Sequence, residues 1–136
     1  MEMRVTTETL PIVDTHQHLW DLDRFSLPWC SGIPALNRSF RPADYRAASQ
    51  GLNVVKTVYM EVDVTPSQQA DEAAYVLGLC RERGNPMVGA VISGRPADAG
   101  FREHILRFQG DEFLKGVRQV LHGAGTPRGF CLQPRF

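Results

Sequence analysis

The chain is 136 residues long, and its 15 basic and 15 acidic side chains cancel to a formal net charge of zero. That length suits one domain with a real core, and the balanced charge, without any long basic run, argues against a nucleic-acid or membrane-surface binder. Cys30, Cys80 and Cys131 are odd in number and widely spaced, so a reducing cytoplasm is expected rather than a disulfide framework.

Residues 1–10 carry no apolar leader segment, and the longest apolar stretch, around 54–60, is broken by Lys56 and too short to span a bilayer. Residues 12–18, Ile-Val-Asp-Thr-His-Gln-His, read as a buried strand ending in two histidines one residue apart. Strand residues i and i+2 share a face, so His16 and His18 are expected to project side by side. Residues 19–41 form a long loop rich in Pro, Trp, Ser and Gly. Pro42 suits the first turn of a short helix over 42–50, closed by Gly51.

Residues 53–62 are β-branched and aromatic and read as the second strand. Thr65, Pro66 and Gln68 then spell a capping box with a proline start. Ala70, Ala73, Ala74, Leu77 and Cys80 mark the buried stripe of the helix that follows, which Gly84 ends. Residues 87–93 are continuously apolar, as a strand covered on both faces would be. After a loop over 94–100, Phe101, Ile105 and Phe108 mark the buried side of a third helix ending at Gly110. Residues 113–121 read as the fourth strand, 122–129 as a loop, and 130–136 as the opening turns of another helix.

Alternating strands and helices predict parallel βαβ units with right-handed crossovers. In such sheets the chemistry gathers at the C-terminal ends of the strands. His16, His18, Glu61 and His122 all fall at expected strand ends.

Two imidazoles on one strand face form a pincer for a divalent metal that would activate water or polarise a carbonyl. A pair of surface histidines without a ligand is the bland alternative. Asp14 either orients an imidazole from behind or caps a turn. Glu61 on the same rim is a candidate metal ligand, water-orienting group or base, against the alternative of a solvated acid, and Asp63 reads as polar surface. Arg118 lies within an apolar strand, so it is either paired or faces a polar cavity where it could bind a carboxylate or carbonyl. His122, four residues on, shares its parity, whereas Lys115 faces the other side. Trp20 and Trp29 either wall a substrate pocket or pin the long loop, with Trp20 carried as a substrate contact; Tyr45, on a helix, is expected to pin. Gly123 and Gly125 lack the rest of any phosphate-binding motif.

Ile12-Val13-Asp14-Thr15-His16-Gln17-His18-Leu19-Trp20-Asp21, then Leu27-Pro28-Trp29, Phe40-Arg41-Pro42-Ala43-Asp44 and Lys115-Gly116-Val117-Arg118-Gln119-Val120-Leu121, together resemble the amidohydrolase-related (amidohydrolase 2) proteins. The branch they are most similar to is that of L-fuconolactonase and 2-pyrone-4,6-dicarboxylate lactonase. The resemblance implies an α/β fold of the (β/α)8 TIM-barrel type and hydrolysis of a sugar lactone or related cyclic ester at its mouth. It places His16 and His18 in the first-strand pair, holding a divalent metal (zinc first) or contacting substrate in a metal-free lactonase. It also sets Arg118 near substrate-binding arginines. The middle-strand histidine and late aspartate of that family have no counterpart here.

A complete barrel needs typically ~250 residues. Residues 1–136 are therefore expected to be the N-terminal part of a single barrel domain, with four strands and three helices. Its two open edges suggest that the chain is part of a longer product or associates with a second copy. A small-molecule substrate is expected, with neither nucleic acid nor membrane as partner. The alternatives are a non-catalytic, self-associating half barrel and a metal-dependent decarboxylase or nuclease on the same barrel.

Overall fold

A computed structural model describes residues 10–123 and 125–136. Residues 1–9, where no apolar leader was expected, lie outside the described residues. The order of elements is β1 (Ile12–Gln17), α1 (Pro42–Ala48), β2 (Val54–Met60), α2 (Gln69–Arg81), β3 (Met87–Ser93), α3 (Phe101–Leu106) and β4 (Leu114–Arg118), with short 3-10 turns at Pro28–Cys30, Pro66–Gln68 and Phe130–Leu132. The strands form one sheet in the order β1-β2-β3-β4, every neighbouring pair parallel. This is the α/β layout expected from the alternating pattern. No helix among the described residues is long and apolar enough to cross a membrane.

The core lies between the sheet and α2. Tyr59, Met87, Ala90 and Ile92 from the strands meet Ala73, Val76, Leu77 and Cys80 from the helix, all nearly inaccessible. Burying side chains of this size contributes roughly 1.5–3 kcal/mol each for the larger ones. The opposite sheet face is only half covered: Val58, Met60, Val91, Gly116 and Arg118 remain partly accessible, and Val13 is exposed. That face would line the interior of a closed barrel.

Several expected boundaries shift. The capping box at Thr65 does not form, because residues 66–68 wind into a 3-10 turn and Thr65 makes no side-chain cap. Gln68 instead reaches back to the long loop, accepting from the Ser26 amide at 2.7 Å and donating to the Arg24 carbonyl at 3.1 Å. The buried stripe of α2 runs through Gln69, Glu72, Ala73, Val76, Leu77, Leu79 and Cys80, leaving Ala70 partly accessible and Ala74 exposed. Helix α3 buries no residue completely, though Phe108 packs on the core from the turn after it. Within 130–136 a 3-10 turn at Phe130–Leu132 stands where an opening α-helix was expected.

Strand β4 stops at Arg118 rather than 121 because its partner leaves. The last pair is Ser93 with Arg118, and the Gly94 amide bonds the Arg118 carbonyl at 3.1 Å before the chain turns away. Gly94 is required at that corner: a Cβ there would sit 2.5 Å from Val117 Cγ1 and 3.0 Å from Phe101 Cε2. Gly94→Ala is expected to cost about 1–3 kcal/mol by overpacking, seen as a lower midpoint in urea unfolding. An unchanged midpoint would mean that the corner is loose.

Candidate functional site

A local irregularity in β1 accompanies the histidine pair. Asp14 pairs with Thr57 and Gln17 with Tyr59, so β1 spends three residues where β2 spends two. Such an extra residue bends the strand and re-aims its side chains. Asp14 stabilises it by accepting from the His16 backbone amide at 3.0 Å and from the Tyr45 hydroxyl at 2.7 Å. Of the two roles weighed for Asp14, the backbone cap is the one found; it does not touch an imidazole. Tyr45 pins α1 to β1 through the same carboxylate, and burial together with Asp14 pushes its phenol up to about 12.

His16 and His18 then share the inner face, with Nε2 atoms 3.1 Å apart and rings nearly perpendicular at 78°. His18 Nδ1 lies 2.9 Å from the Met60 carbonyl. A carbonyl can only accept, so Nδ1 carries the hydrogen and Nε2 keeps its lone pair. Although His18 is exposed as a residue, packing around its ring lowers its pKa; the Met60 bond opposes this, and the charges of His16 and Arg118 add to it.

Glu61 follows β2 directly and is 1 % exposed. Its Oε1 accepts from Arg118 Nε at 2.5 Å and its carbonyl from Arg118 Nη2 at 2.8 Å, while Oε2 accepts from the Asp63 amide at 2.7 Å. Both carboxylate oxygens are engaged, so Glu61 serves here as the holder of Arg118 rather than as a free base. Asp63 pays locally for that bond by taking a left-handed φ of +52°, which few non-glycine residues adopt. Among the described residues Arg118 Nη1 has no hydrogen-bond partner, which leaves one edge of a partly exposed guanidinium for a ligand.

The other expected site residues lie elsewhere. His122 is exposed in the loop beyond β4; the strand ends before it, so its supposed parity with Arg118 fails. Trp20 is buried, donates to the Arg38 carbonyl at 2.7 Å and packs edge-on against Trp29 and tilted against Phe40, so of its two readings the structure shows the loop pin. Trp29 is more exposed and bonds the Val62 carbonyl at 2.7 Å, close to the rim. Lys115 lays its stem over Gly89, and its Nζ donates to the Glu112 carbonyl at 2.7 Å, at the start of β4.

Sequence reasoning passed over Glu72. It is 1 % exposed, and its Oε1 accepts from the Tyr59 hydroxyl at 2.9 Å and the Val62 amide at 3.0 Å. The readable signal was its position four residues before Val76 on the buried stripe of α2.

Zinc–imidazole bonds of about 2.0–2.1 Å at a tetrahedral angle put two ligand nitrogens about 3.3 Å apart. The His16/His18 separation of 3.1 Å fits two ligands of one ion. Among the described residues no group of three or more His, Cys, Asp or Glu side chains is placed to hold a metal, so the pair supplies part of a coordination sphere.

No protein-family model matches the chain. In sequence it is 27% identical over 124 residues to the uncharacterized protein y4mH of Sinorhizobium fredii (strain NBRC 101917 / NGR234), covering 83% of this chain and 41% of that protein. In structure it is similar to amidohydrolase 2 from Bifidobacterium longum subsp. infantis, with a TM-score of 0.63 and 28% identity over 94% of this chain and 45% of that one. An amidohydrolase from Burkholderia multivorans, solved with bound HEPES and with bound zinc, aligns at a TM-score of 0.70 and 21% identity over 91% of this chain and 42% of its own. The chain thus spans less than half the length of each of these proteins. Its structural neighbours are amidohydrolases, and its parallel sheet with covering helices has the fold of about half of such a TIM barrel.

Proposed function

We propose that this chain contributes the His-x-His half of an amidohydrolase-type active site that hydrolyses a sugar lactone or related cyclic ester. The approach of His16 Nε2 to His18 Nε2 at 3.1 Å carries the reading, because it presents two imidazole lone-pair positions to one point on the inner sheet face. A divalent metal, zinc first, would be held by these two atoms together with ligands from the rest of the barrel, and when bound it would polarise the ester carbonyl or acidify water.

The chain's own residues do the positioning. Met60 fixes the tautomer of His18 through its carbonyl, leaving Nε2 free to ligate. Glu61 holds Arg118 by two contacts, so the remaining guanidinium edge can orient a substrate carboxylate or carbonyl oxygen. Trp29, whose indole donates to the Val62 carbonyl one residue beyond Glu61, would cover the substrate ring. The acid/base of the reaction belongs to the other half of the barrel, since Glu61 is committed to Arg118.

Replacing both His16 and His18 with alanine in the whole protein is expected to abolish hydrolysis of a lactone panel and to remove one bound equivalent of zinc. Retained hydrolysis would sink the assignment.

A further inference from the structure

The inference concerns what holds the proposed centre in place, and it rests on the reading of His16, His18 and Arg118 given above. Both anchors of that centre come from the end of β2. Met60 supplies the carbonyl that meets His18 Nδ1 at 2.9 Å, and Glu61 supplies the carboxylate and carbonyl that hold Arg118 at 2.5 and 2.8 Å. The residues on either side of this pair are Tyr59 and Val62, and one carboxylate from α2 grips them both. Glu72 Oε1 accepts from the Tyr59 hydroxyl at 2.9 Å and from the Val62 amide at 3.0 Å. The same hydroxyl lies 3.2 Å from the carbonyl of Leu19, the residue directly after His18. A single buried oxygen therefore brackets Met60 and Glu61, and the phenol proton it takes at 2.9 Å is the one the Leu19 carbonyl would otherwise accept at 3.2 Å.

Packing alone does not call for a carboxyl there. Glu72 sits among Ala73, Val76 and Leu77, each no more than 1 % exposed, where an aliphatic side chain would avoid the cost of burying a polar group. Its second oxygen, Oε2, has no hydrogen-bond partner among the described residues, so the group is not retained as a fully satisfied network. What the carboxyl achieves is the placement of Tyr59 and Val62.

We propose that Glu72 is a positioning residue of the candidate centre: its carboxyl sets the end of β2, and through it the orientation of the His18 ring and the Arg118 guanidinium. Glu72→Gln keeps an oxygen where Oε1 stands, whereas Glu72→Ala removes it.

The test uses nitrogen NMR of the histidine rings in the metal-free whole protein, with zinc affinity by calorimetry as a second readout. Glu72→Ala is expected to shift the His18 Nδ1 resonance and open its proton to solvent exchange. It should also weaken zinc binding by about 10- to 100-fold, the usual effect of losing a group that orients a ligand from behind. Glu72→Gln should stay close to the parent in both. Should the alanine variant fail to fold, Tyr59→Phe cuts the phenol link alone and should shift the same resonance.

Unchanged His18 signals in a folded Glu72→Ala variant, or in Tyr59→Phe, would overturn the proposal, as would equal losses in the Gln and Ala variants. A whole protein that binds no zinc, but whose His18 ring still responds to Glu72→Ala, supports this proposal while overturning the metal reading above.

Discussion

Arg118→Ala is expected to destabilise the chain by about 3–5 kcal/mol, the cost of leaving a buried charge without its partner. Glu61 is 1 % exposed and cannot turn to water when the guanidinium is removed. The Asp63 amide would still bond Oε2, but Oε1 and the Glu61 carbonyl would both lose their donors. Domains of this size have total stabilities of about 5–15 kcal/mol, so the loss would be large. Urea unfolding of Arg118→Ala, beside Glu61→Gln/Arg118→Ala, measures it. Neutralising Glu61 should restore a good part of the lost stability, because the penalty lies in the stranded carboxylate. A single-variant loss below about 1 kcal/mol would place the pair with solvent-screened surface bridges.

The second large effect is a pH dependence centred on Glu72. Burial pushes its carboxyl from 4.5 up to about 7; the Val62 and Tyr59 hydrogen bonds pull it down, and the nearby Glu61 and Asp63 charges push it further up. The folded chain therefore holds this proton more tightly than the unfolded chain does. The resulting stability is present in full below about pH 4.5 and is lost as pH rises through about 7. The shift corresponds to about 3 kcal/mol across that window. Glu72→Gln cannot ionise, so its stability relative to the parent should rise by that amount from acid to neutral pH. Carboxylates held below their usual range, such as Asp21 beside Arg41, act in the opposite direction but equally in both proteins, so they cancel. Parallel stability curves for parent and variant would contradict the assignment.

The fold was readable from the sequence because its periodicities are local. The β-branched run at 54–60 and the apolar run at 87–93 became parallel neighbours, and the Ala73–Leu77–Cys80 stripe packed on them. The pairing of His16 with His18 followed from strand geometry alone, although the extra residue in β1 that accompanies it did not, since register irregularities depend on the partner strand. His122 was misplaced for the same reason: parity counting assumed a strand through 121, and β4 ended where β3 turned away at Gly94. Trp20 could be read as a pocket wall or as a loop pin until Phe40 was known to pair with it across residues 19–41. Glu61, Arg118 and Glu72 share one difficulty. Sequence shows a charge at a strand end, within a strand or on a buried stripe, but only the three-dimensional contacts show that Glu61 and Arg118 hold each other and that Glu72 grips the backbone beside them.

The central claim is that His16 and His18 present their Nε2 atoms to one ion on the inner sheet face. Zinc titration of the whole protein, followed on the ring nitrogens of His16, His18, His104 and His122, tests it most directly. One equivalent of zinc should move the Nε2 resonances of His16 and His18 together, leave His104 and His122 unchanged, and have no effect on those rings once either member of the pair is alanine. A titration that instead moves His104 or His122, or that leaves the His16 and His18 rings unperturbed, would contradict it.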